Sequence, residues 1–396
     1  MAGTLYIAGG AIRASEHEIL SAFVQSAGGP SSRFAFVVSA SGSDPDSTFR
    51  GCVEDFARLG VPKENCVLIP LYAKHVKDER GFNALNGDEE SLPRLFEGVT
   101  GVWFTGGDQY FTAHCFLRPD GTYTRALQII HSIYERGGAI GGSSAGAAIM
   151  SDVMIGGGNN RGVLYHDVVY GYDTYDALCE EGDPAEPLIL VKGLGFLRHA
   201  VVDQHFNARP RLLRSIEACL ANRDGIRVAY GVSEDTALVY KGGSIRVLGS
   251  GGVYIMDCRN AVKTGNGSYE GVVLHAIHKG DVYVEATSRV ELAGDSSSES
   301  RFSVSPDYIS GATIDSPVFD RAIYRGLLHG RDESLSFCSK RNKRYIKGIA
   351  VYEAHERTFA VVLKYFRDDT TKGYCSAHTS FKNVELAIKT SEIELG

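Results

Sequence analysis

The sequence lacks the features that mark a zinc protein, a disulfide-stabilised secreted domain or a membrane protein. Its eight cysteines are scattered, without a C-x-x-C pair, which argues against a zinc site and against a dense disulfide framework. No apolar run reaches the roughly 18 residues that a membrane-spanning helix needs. We therefore expect a soluble chain whose cysteines are reduced, as they are in a cytoplasm.

The sequence also lacks an excess of positive charge. Its 41 Lys and Arg residues are outnumbered by 48 Asp and Glu, for a net charge of -7. A general attraction to nucleic acid or to anionic membranes is therefore not expected. The opening MAGTLYIAGG has neither the charged start nor the long apolar stretch of a signal peptide. The predicted location is cytoplasmic, or extracellular if a signal peptide has been removed.

Short apolar runs recur through the first part of the chain, and longer amphipathic segments separate them. The runs are LYIAGG at Leu5, FAFVVSA at Phe34, CVLIPL at Cys66, GVWFTGG at Gly101 and GGAIGGSS at Gly137. Residues 15–26, 48–59 and 124–136 carry apolar residues at the three- and four-residue spacing of helices. This alternation predicts an α/β fold with buried parallel strands, whose chemistry lies at the carboxyl ends of the strands.

The length of 396 residues is more than one compact core usually holds, which favours two domains. A strand-rich section ends near residue 292, and the polar stretch GDSSSES at residues 294–300 is typical of a linker. We predict an α/β domain over residues 1–294 and a small α+β domain of unknown role over residues 295–396. The second domain is expected to contain a helix at residues 319–328.

The stretch GGSSAGAAIM, which begins at Gly141, contains the pattern G-x-S-x-G. This pattern is typical of a sharp strand-to-helix turn in which small neighbours let the central serine project its hydroxyl group. The register makes Ser144 the candidate nucleophile, and the backbone N–H of Ala145 a candidate oxyanion donor. Alone, in a chain with 46 glycines, the pattern favours a structural turn. Its place between an apolar run and a helix rich in small residues favours chemistry.

A nucleophilic serine needs a base, and His205 is the best placed of the twelve histidines. It ends the β-branched run AVVDQHF, so a strand end delivers it, as one delivers Ser144. The same run is followed by Arg209, Arg211 and Arg214, whose spacing lets three cations converge beside the histidine. A solvated helix face that carries three arginines is an equally good interpretation of that spacing.

Three separated motifs resemble one known family, and a fourth supports them. They are FTGGDQ at residues 104–109, GGSSAGA at 141–147, DQHF-x-x-R-x-R-x-x-R at 203–214 and the weaker GVSEDTA at 231–237. Together they resemble the serine peptidase family of cyanophycinases and aspartyl dipeptidases, over about residues 4–293. The resemblance implies an α/β fold of the class I glutamine-amidotransferase-like (flavodoxin-like) type, a parallel-sheet sandwich.

The resemblance also implies the roles of individual residues. Ser144 is expected to be the nucleophile, His205 the general base and Glu234 the acid that orients it. The second oxyanion donor is expected from the turn of Gly106 and Gly107, with Gly107 our choice. The substrate pocket is expected to comprise Gln109, Asp203, Gln204, Arg209, Arg211 and Arg214. The chain departs from the family pattern at Ser143, where threonine is usual, at Pro210 between two arginines, and at Ser215.

The function implied by the resemblance is hydrolysis of cyanophycin, a poly-aspartate backbone whose β-carboxyl groups carry arginine. The expected reaction releases β-Asp-Arg dipeptides through an acyl-enzyme, without a metal or a cofactor, and we expect a homodimer. Two alternatives stay open. One is a serine dipeptidase for other β-aspartyl or acidic peptides, and the other is a catalytically silent protein that uses the arginine pocket for binding.

Overall fold

The fold is taken from a computed structural model of the 396-residue chain. It describes residues 2–42, 44–72, 87–171, 186–209 and 211–293, and the strands within 344–354, 357–367, 372–375 and 379–393. The predicted linker at 294–300, the predicted helix at 319–328 and Pro210 lie outside the described residues. In the strands after residue 343, side chains are described only for residues 385–388.

Five parallel strands form one side of the first sheet. They are β1 (Thr4–Ala8), β2 (Arg33–Val37), β3 (Cys66–Ile69), β4 (Val99–Phe104) and β5 (Ala139–Ser143). Their order in the sheet is β1-β5-β4-β2-β3, and each neighbouring pair is parallel. Each of the five predicted apolar runs overlaps one of these strands, so the prediction of an α/β fold is confirmed at this level.

Both faces of this sheet are covered, which explains why its strands are apolar without alternation. On β2, Phe34 and Phe36 pack into one core cluster, whereas Ala35 and Val37, the alternate residues, pack into another on the opposite face. The described helices are α1 (Glu16–Ser26), α2 (Pro45–Arg58), α3 (Leu92–Leu95), α4 (Gln109–Phe116), α5 (Arg125–Glu135), α6 (Ala145–Ala148), α7 (Asn160–Tyr165) and α8 (Leu212–Ala221). None of them is long and apolar enough to cross a bilayer.

Helix α2 starts three residues before its predicted start, and local chemistry explains the difference. Asp44 caps the helix by accepting a hydrogen bond from the backbone N–H of Asp46, and Pro45 occupies the first turn. Proline suits that position because its missing N–H has no partner there in any case. The amphipathic pattern alone begins only at residue 48, so it misses the cap.

The later strands extend the first sheet and build two more. They are β6 (Val153–Gly157), β7 (Val169–Tyr170), β8 (Ile189–Lys192), β9 (Val201–Asp203), β10 (Val228–Val232), β11 (Thr236–Lys241), β12 (Ser244–Gly249), β13 (Val253–Asp257), β14 (Val262–Gly265), β15 (Ser268–Ile277), β16 (Val282–Val284), β17 (Arg289–Glu291), β18 (Arg344–Ala354), β19 (Arg357–Arg367), β20 (Lys372–Cys375) and β21 (Thr379–Ile393). Antiparallel β11, β12, β16 and β17 continue the first sheet outward from β1. The second sheet has the order β18-β19-β21-β15-β13-β10-β9, and the third is β6-β8-β7.

Strand β21 joins the second sheet by antiparallel pairing with β15. Leu386 and Ile388 on β21 are buried in the same core cluster as Tyr269 and Leu274 on β15. The second sheet therefore runs across the predicted domain boundary near residue 295. The division into two domains stays a prediction.

Candidate active site

The turn after β5 holds Ser144 in a strained backbone conformation, with φ 56° and ψ −112°. A side chain at Gly142 would put its Cβ 2.2 Å from the carbonyl oxygen of Gly146, and one at Gly146 would meet the carbonyl oxygen of Phe104 at 2.3 Å. Both glycines of the G-x-S-x-G pattern are therefore required by close backbone contacts. The backbone N–H of Ser144 donates to Ala8 at the end of β1 (3.0 Å), which fixes the turn against the sheet.

Three predicted residues from distant parts of the chain meet at this turn. The Oγ of Ser144 lies 2.7 Å from Nε2 of His205, and Nδ1 of His205 lies 2.6 Å from Oε1 of Glu234. His205 follows β9 and Glu234 follows β10, so the carboxyl ends of parallel strands deliver both side chains. The arrangement can transfer the hydroxyl proton of Ser144 to the imidazole, while the carboxylate orients the ring.

The environment of His205 favours the neutral imidazole that a base requires. Burial lowers the pKa of His205, and the positive charges of Arg209 and Arg211 lower it further, whereas the hydrogen bond and charge of Glu234 act in the opposite direction. The side chain of His205 is 12% exposed. At neutral pH the ring is therefore able to accept a proton.

Two residues that the sequence analysis missed hold the histidine and the acid in place. Gly10, with φ +105°, lies against the imidazole so closely that a Cβ there would be 2.3 Å from Cε1 of His205. The side chain of Asn207 accepts a hydrogen bond from the backbone N–H of Glu234 (2.8 Å). The pair of glycines directly after β1 was a signal for Gly10, because such pairs allow close approach. We find no comparable sequence signal for Asn207.

The predicted oxyanion donors lie beside the serine. A Cβ on Gly106 would be 3.3 Å from Cβ of Ser144, so the turn after β4 lies against the turn after β5. Gly107 has φ +136°, and a side chain there would strike the carbonyl oxygen of Ala40 at 1.8 Å. The backbone N–H groups of Gly107 and Ala145 donate no hydrogen bond within the described part of the chain. They are thus available to an oxyanion.

The three arginines of the predicted pocket do not form one open cationic face. Arg211 and Arg214 are each 6% exposed, and both pair with Asp203, which is 1% exposed. Nη1 of Arg211 lies 3.0 Å from Oδ1 of Asp203, and Arg214 makes contacts of 2.8 and 2.5 Å with the same carboxylate. Ser215 adds a hydrogen bond to Asp203 (2.9 Å). Of the three arginines, only Arg209 is exposed, and it has no ion-pair partner among the residues described.

Electrostatics keep this buried cluster ionised. Burial alone would raise the pKa of Asp203, but the charges of Arg214 and Arg211 outweigh it and hold the pKa below the usual range of an aspartate. Burial and the neighbouring charge of Arg214 lower the pKa of Arg211. Removal of Asp203 would leave two buried guanidinium groups without their shared counter-charge, and removal of either arginine would leave Asp203 with one ionic partner instead of two.

The two predicted pocket glutamines also have partners. Gln204 accepts from Nη1 of Arg211 through both its backbone oxygen (2.6 Å) and its side-chain oxygen (2.7 Å). Gln109 donates to the carbonyl oxygen of Gly156 (2.6 Å), and Arg214 donates to that of Gly158. The glycine-rich segment at the end of β6 therefore supports both the glutamine at the start of α4 and the buried arginine.

Comparisons with known proteins found relatives that share one name. A curated protein named Cyanophycinase from Synechococcus elongatus is 32% identical over 285 residues, covering 69% of this chain and 76% of the relative. One from Thermosynechococcus vestitus matches to the same extent. One from Geminocystis herdmanii is 29% identical over 293 residues, covering 72% of this chain and 93% of its own.

A solved structure shares limited similarity with the chain. A crystal structure of a peptidase from an acI-B1 actinobacterium matches with a TM-score of 0.48 and 17% identity, over 72% of this chain and 97% of that one. No protein-family model matches the chain. The sequence similarity to the curated relatives thus extends over more than two thirds of the chain, well beyond any single motif.

Proposed function

Because this chain belongs to the cyanophycinase family, we propose that it is a serine-type exopeptidase that hydrolyses the poly-aspartate backbone of cyanophycin to β-Asp-Arg dipeptides. The observation that carries the proposal is the hydrogen-bonded series from Ser144 through His205 to Glu234, with contacts of 2.7 and 2.6 Å. Such a series is what an activated serine requires. The names of the relatives supply the class of substrate.

The reaction follows from the roles of the residues. Ser144 attacks the backbone carbonyl carbon as His205 takes its proton, and the N–H groups of Gly107 and Ala145 stabilise the oxyanion. His205 then protonates the leaving amine, and the C–N bond breaks to give an acyl-enzyme and a free amine. Water, deprotonated by His205, attacks the ester, and Ser144 leaves with the proton returned to it. Glu234 stays ionised and holds the ring throughout.

Substrate recognition is divided between an exposed cation and a buried support. Each substrate unit carries the free carboxylate of its arginine, and a guanidinium group binds a carboxylate through two parallel hydrogen bonds. Arg209 is the exposed cation, and we assign it the substrate carboxylate. Arg211, Arg214 and Asp203 shape the wall of the pocket. Gln109 and Gln204 complete the wall, and the fold holds them through the contacts described above.

The strand order supports the finer fold type. The series β3-β2-β4-β5-β1 follows the doubly wound order 2-1-3-4-5, with the first strand of the chain in the fifth place. We therefore propose the glutamine-amidotransferase-like (flavodoxin-like) type. A cytoplasmic homodimer and a separate C-terminal domain remain predictions. Sedimentation of the full chain tests the first of these, and limited proteolysis near residue 295 tests the second.

The decisive experiment is digestion of purified cyanophycin with product analysis. The intact chain should release β-Asp-Arg, Ser144→Ala should release none, and Ser143→Ala is the matched control that should retain activity. Release of product by Ser144→Ala would refute Ser144 as the nucleophile, and failure of the intact chain to cleave any of these substrates would favour a binding protein. If the chain leaves cyanophycin intact but cleaves other β-aspartyl or acidic dipeptides, the alternative peptidase is correct.

A further inference from the structure

A second cleft lies beside the candidate active site and contains none of its three central residues. It has a volume of about 1000 Å³, and its walls come from α4, the loop after it, β8, the end of β7 and the residues that follow α8. This is the upper range of small-molecule sites. Helix α4 connects the two places, because it begins at Gln109 and presents Tyr110 and His114 to the cleft.

The ionisable side chains of the cleft are of both signs. They are Asp88, Asp120, Asp152 and Asp224, with His114, Arg118, Lys192 and Arg223. Asp88 and Arg118 neutralise each other through two hydrogen bonds of 2.7 and 2.8 Å. The carboxylates of Asp152 and Asp224 form no ion pair with the described cations. The cleft therefore offers carboxylates and, through exposed Lys192, a cation, which suits a ligand that is itself zwitterionic.

The position of Asp152 is fixed by the backbone. Its N–H donates to Leu197 (3.1 Å), and its carbonyl oxygen accepts from Gly193 (2.7 Å). The side chain is half-buried. A carboxylate held on a rigid backbone loses little entropy when it binds a cation.

The wall of the cleft already accommodates a guanidinium group on an aromatic ring. The guanidinium carbon of Arg223 lies 4.0 Å from the centre of the Tyr170 ring, within the range of an attractive cation–π contact. The ring of Tyr110, stacked on His114 at 5.9 Å, provides another aromatic surface. Aromatic rings beside carboxylates are the chemistry that recognises arginine side chains.

We propose that this cleft is an accessory binding site for arginine-bearing units of the polymer, beyond those bound at Ser144. Asp152 and Asp224 bind the guanidinium group, and Lys192 binds the free carboxylate of the same unit. From Gln109 to His114, α4 advances by about 7.5 Å, which is about two residues of extended backbone. A chain that passes Gln109 can thus reach the cleft. The identity of the ligand rests on the proposed function. The inference that the ligand carries both a positive and a negative charge rests only on the side chains of the cleft.

Kinetics on long and short substrates test the proposal. For Asp152→Asn/Asp224→Asn, we expect KM for the polymer to rise about fivefold to tenfold, as for the loss of two solvent-screened charge contacts. Its kcat should stay unchanged, as should both constants for a two-unit substrate. Glu97→Gln, which removes an exposed charge elsewhere, is the control and should match the wild type. Equal KM values for the polymer in all three proteins would refute the accessory site.

Direct binding separates this proposal from the proposed function. Titration calorimetry of the full chain carrying Ser144→Ala, with Nα-acetyl-arginine as the probe, should lose one binding site when Asp152→Asn/Asp224→Asn is added. If the substitutions remove this site but the wild type leaves cyanophycin intact, the cleft is a site for arginyl groups and the proposed function fails. Unchanged stoichiometry in a chain that does digest cyanophycin would overturn the cleft alone.

Discussion

Arg209 and Arg214 belong to one sequence motif, but their substitutions should affect different properties. Loss of Arg214 should lower stability, and loss of Arg209 should raise KM. Arg214 contacts Asp203 through Nε (2.8 Å) and Nη2 (2.5 Å), and the carboxylate is 1% exposed. Removing one partner of such a pair costs about 3–5 kcal/mol, because a buried charge is left without compensation. Arg211 and Ser215 still contact Asp203. We therefore expect Arg214→Ala to lower the free energy of unfolding by about 3 kcal/mol, near the lower end of that range.

Arg209→Ala is the matched control. Its side chain is exposed, so we expect a change in stability within about 0.5 kcal/mol. Its effect should instead fall on KM, because the proposed carboxylate contact is lost. The stability of Arg214→Lys should lie between those of the wild type and Arg214→Ala, because a lysine keeps the charge but cannot form two parallel hydrogen bonds.

Urea unfolding provides the assay. The single tryptophan, Trp103, is buried in β4 and reports the loss of the first sheet by its fluorescence. Arg214→Ala should lower the unfolding midpoint at an unchanged slope. If Arg214→Ala unfolds together with the wild type while its KM for cyanophycin rises sharply, the buried pair is not structural. Arg214 would then contact substrate, as the sequence motif alone suggests.

The remaining predictions concern the histidine and its supports. Because burial lowers the pKa of His205, the acid limb of kcat/KM should have its midpoint below the ordinary value of 6.5, and Arg209→Gln should move it upward by removing a positive charge. Gly10→Ala should lower kcat at least about 100-fold, because the new Cβ displaces the imidazole. Asn207→Ala should lower kcat about fivefold at unchanged KM through loss of the hydrogen bond to Glu234, and Asn207→Asp should restore it.

The control for Gly10→Ala is a glycine whose side-chain position is open. Gly51, in α2, has open space where a Cβ would stand, so Gly51→Ala should leave kcat unchanged. A fully active Gly10→Ala would show that the imidazole tolerates displacement. An acid limb centred above 6.5 would contradict the effect of burial on His205. Equal loss of activity in Asn207→Ala and Asn207→Asp would point to packing instead of the hydrogen bond.

Local patterns predicted the strands and the turn because those features depend on neighbouring residues. The five apolar runs coincide with the five parallel strands, and the G-x-S-x-G pattern coincides with the strained turn at Ser144. The position of His205 at a strand end followed from the same reasoning. The pairing of Glu234 with His205 needed the family resemblance, because nothing local connects residues 29 positions apart.

The sequence by itself determined which residue types are present and which strand ends carry them. Only the tertiary structure decided which side chains face the open site. Arg209, Arg211 and Arg214 are equivalent in spacing, but the packing of α8 against β9 buries two of them around Asp203 and leaves the first exposed. Gly10 and Asn207 acquire their roles in the same way, through contacts between loops that are far apart in the sequence. The physical reason is that burial and charge compensation depend on what packs against a residue, and spacing along the chain does not specify that.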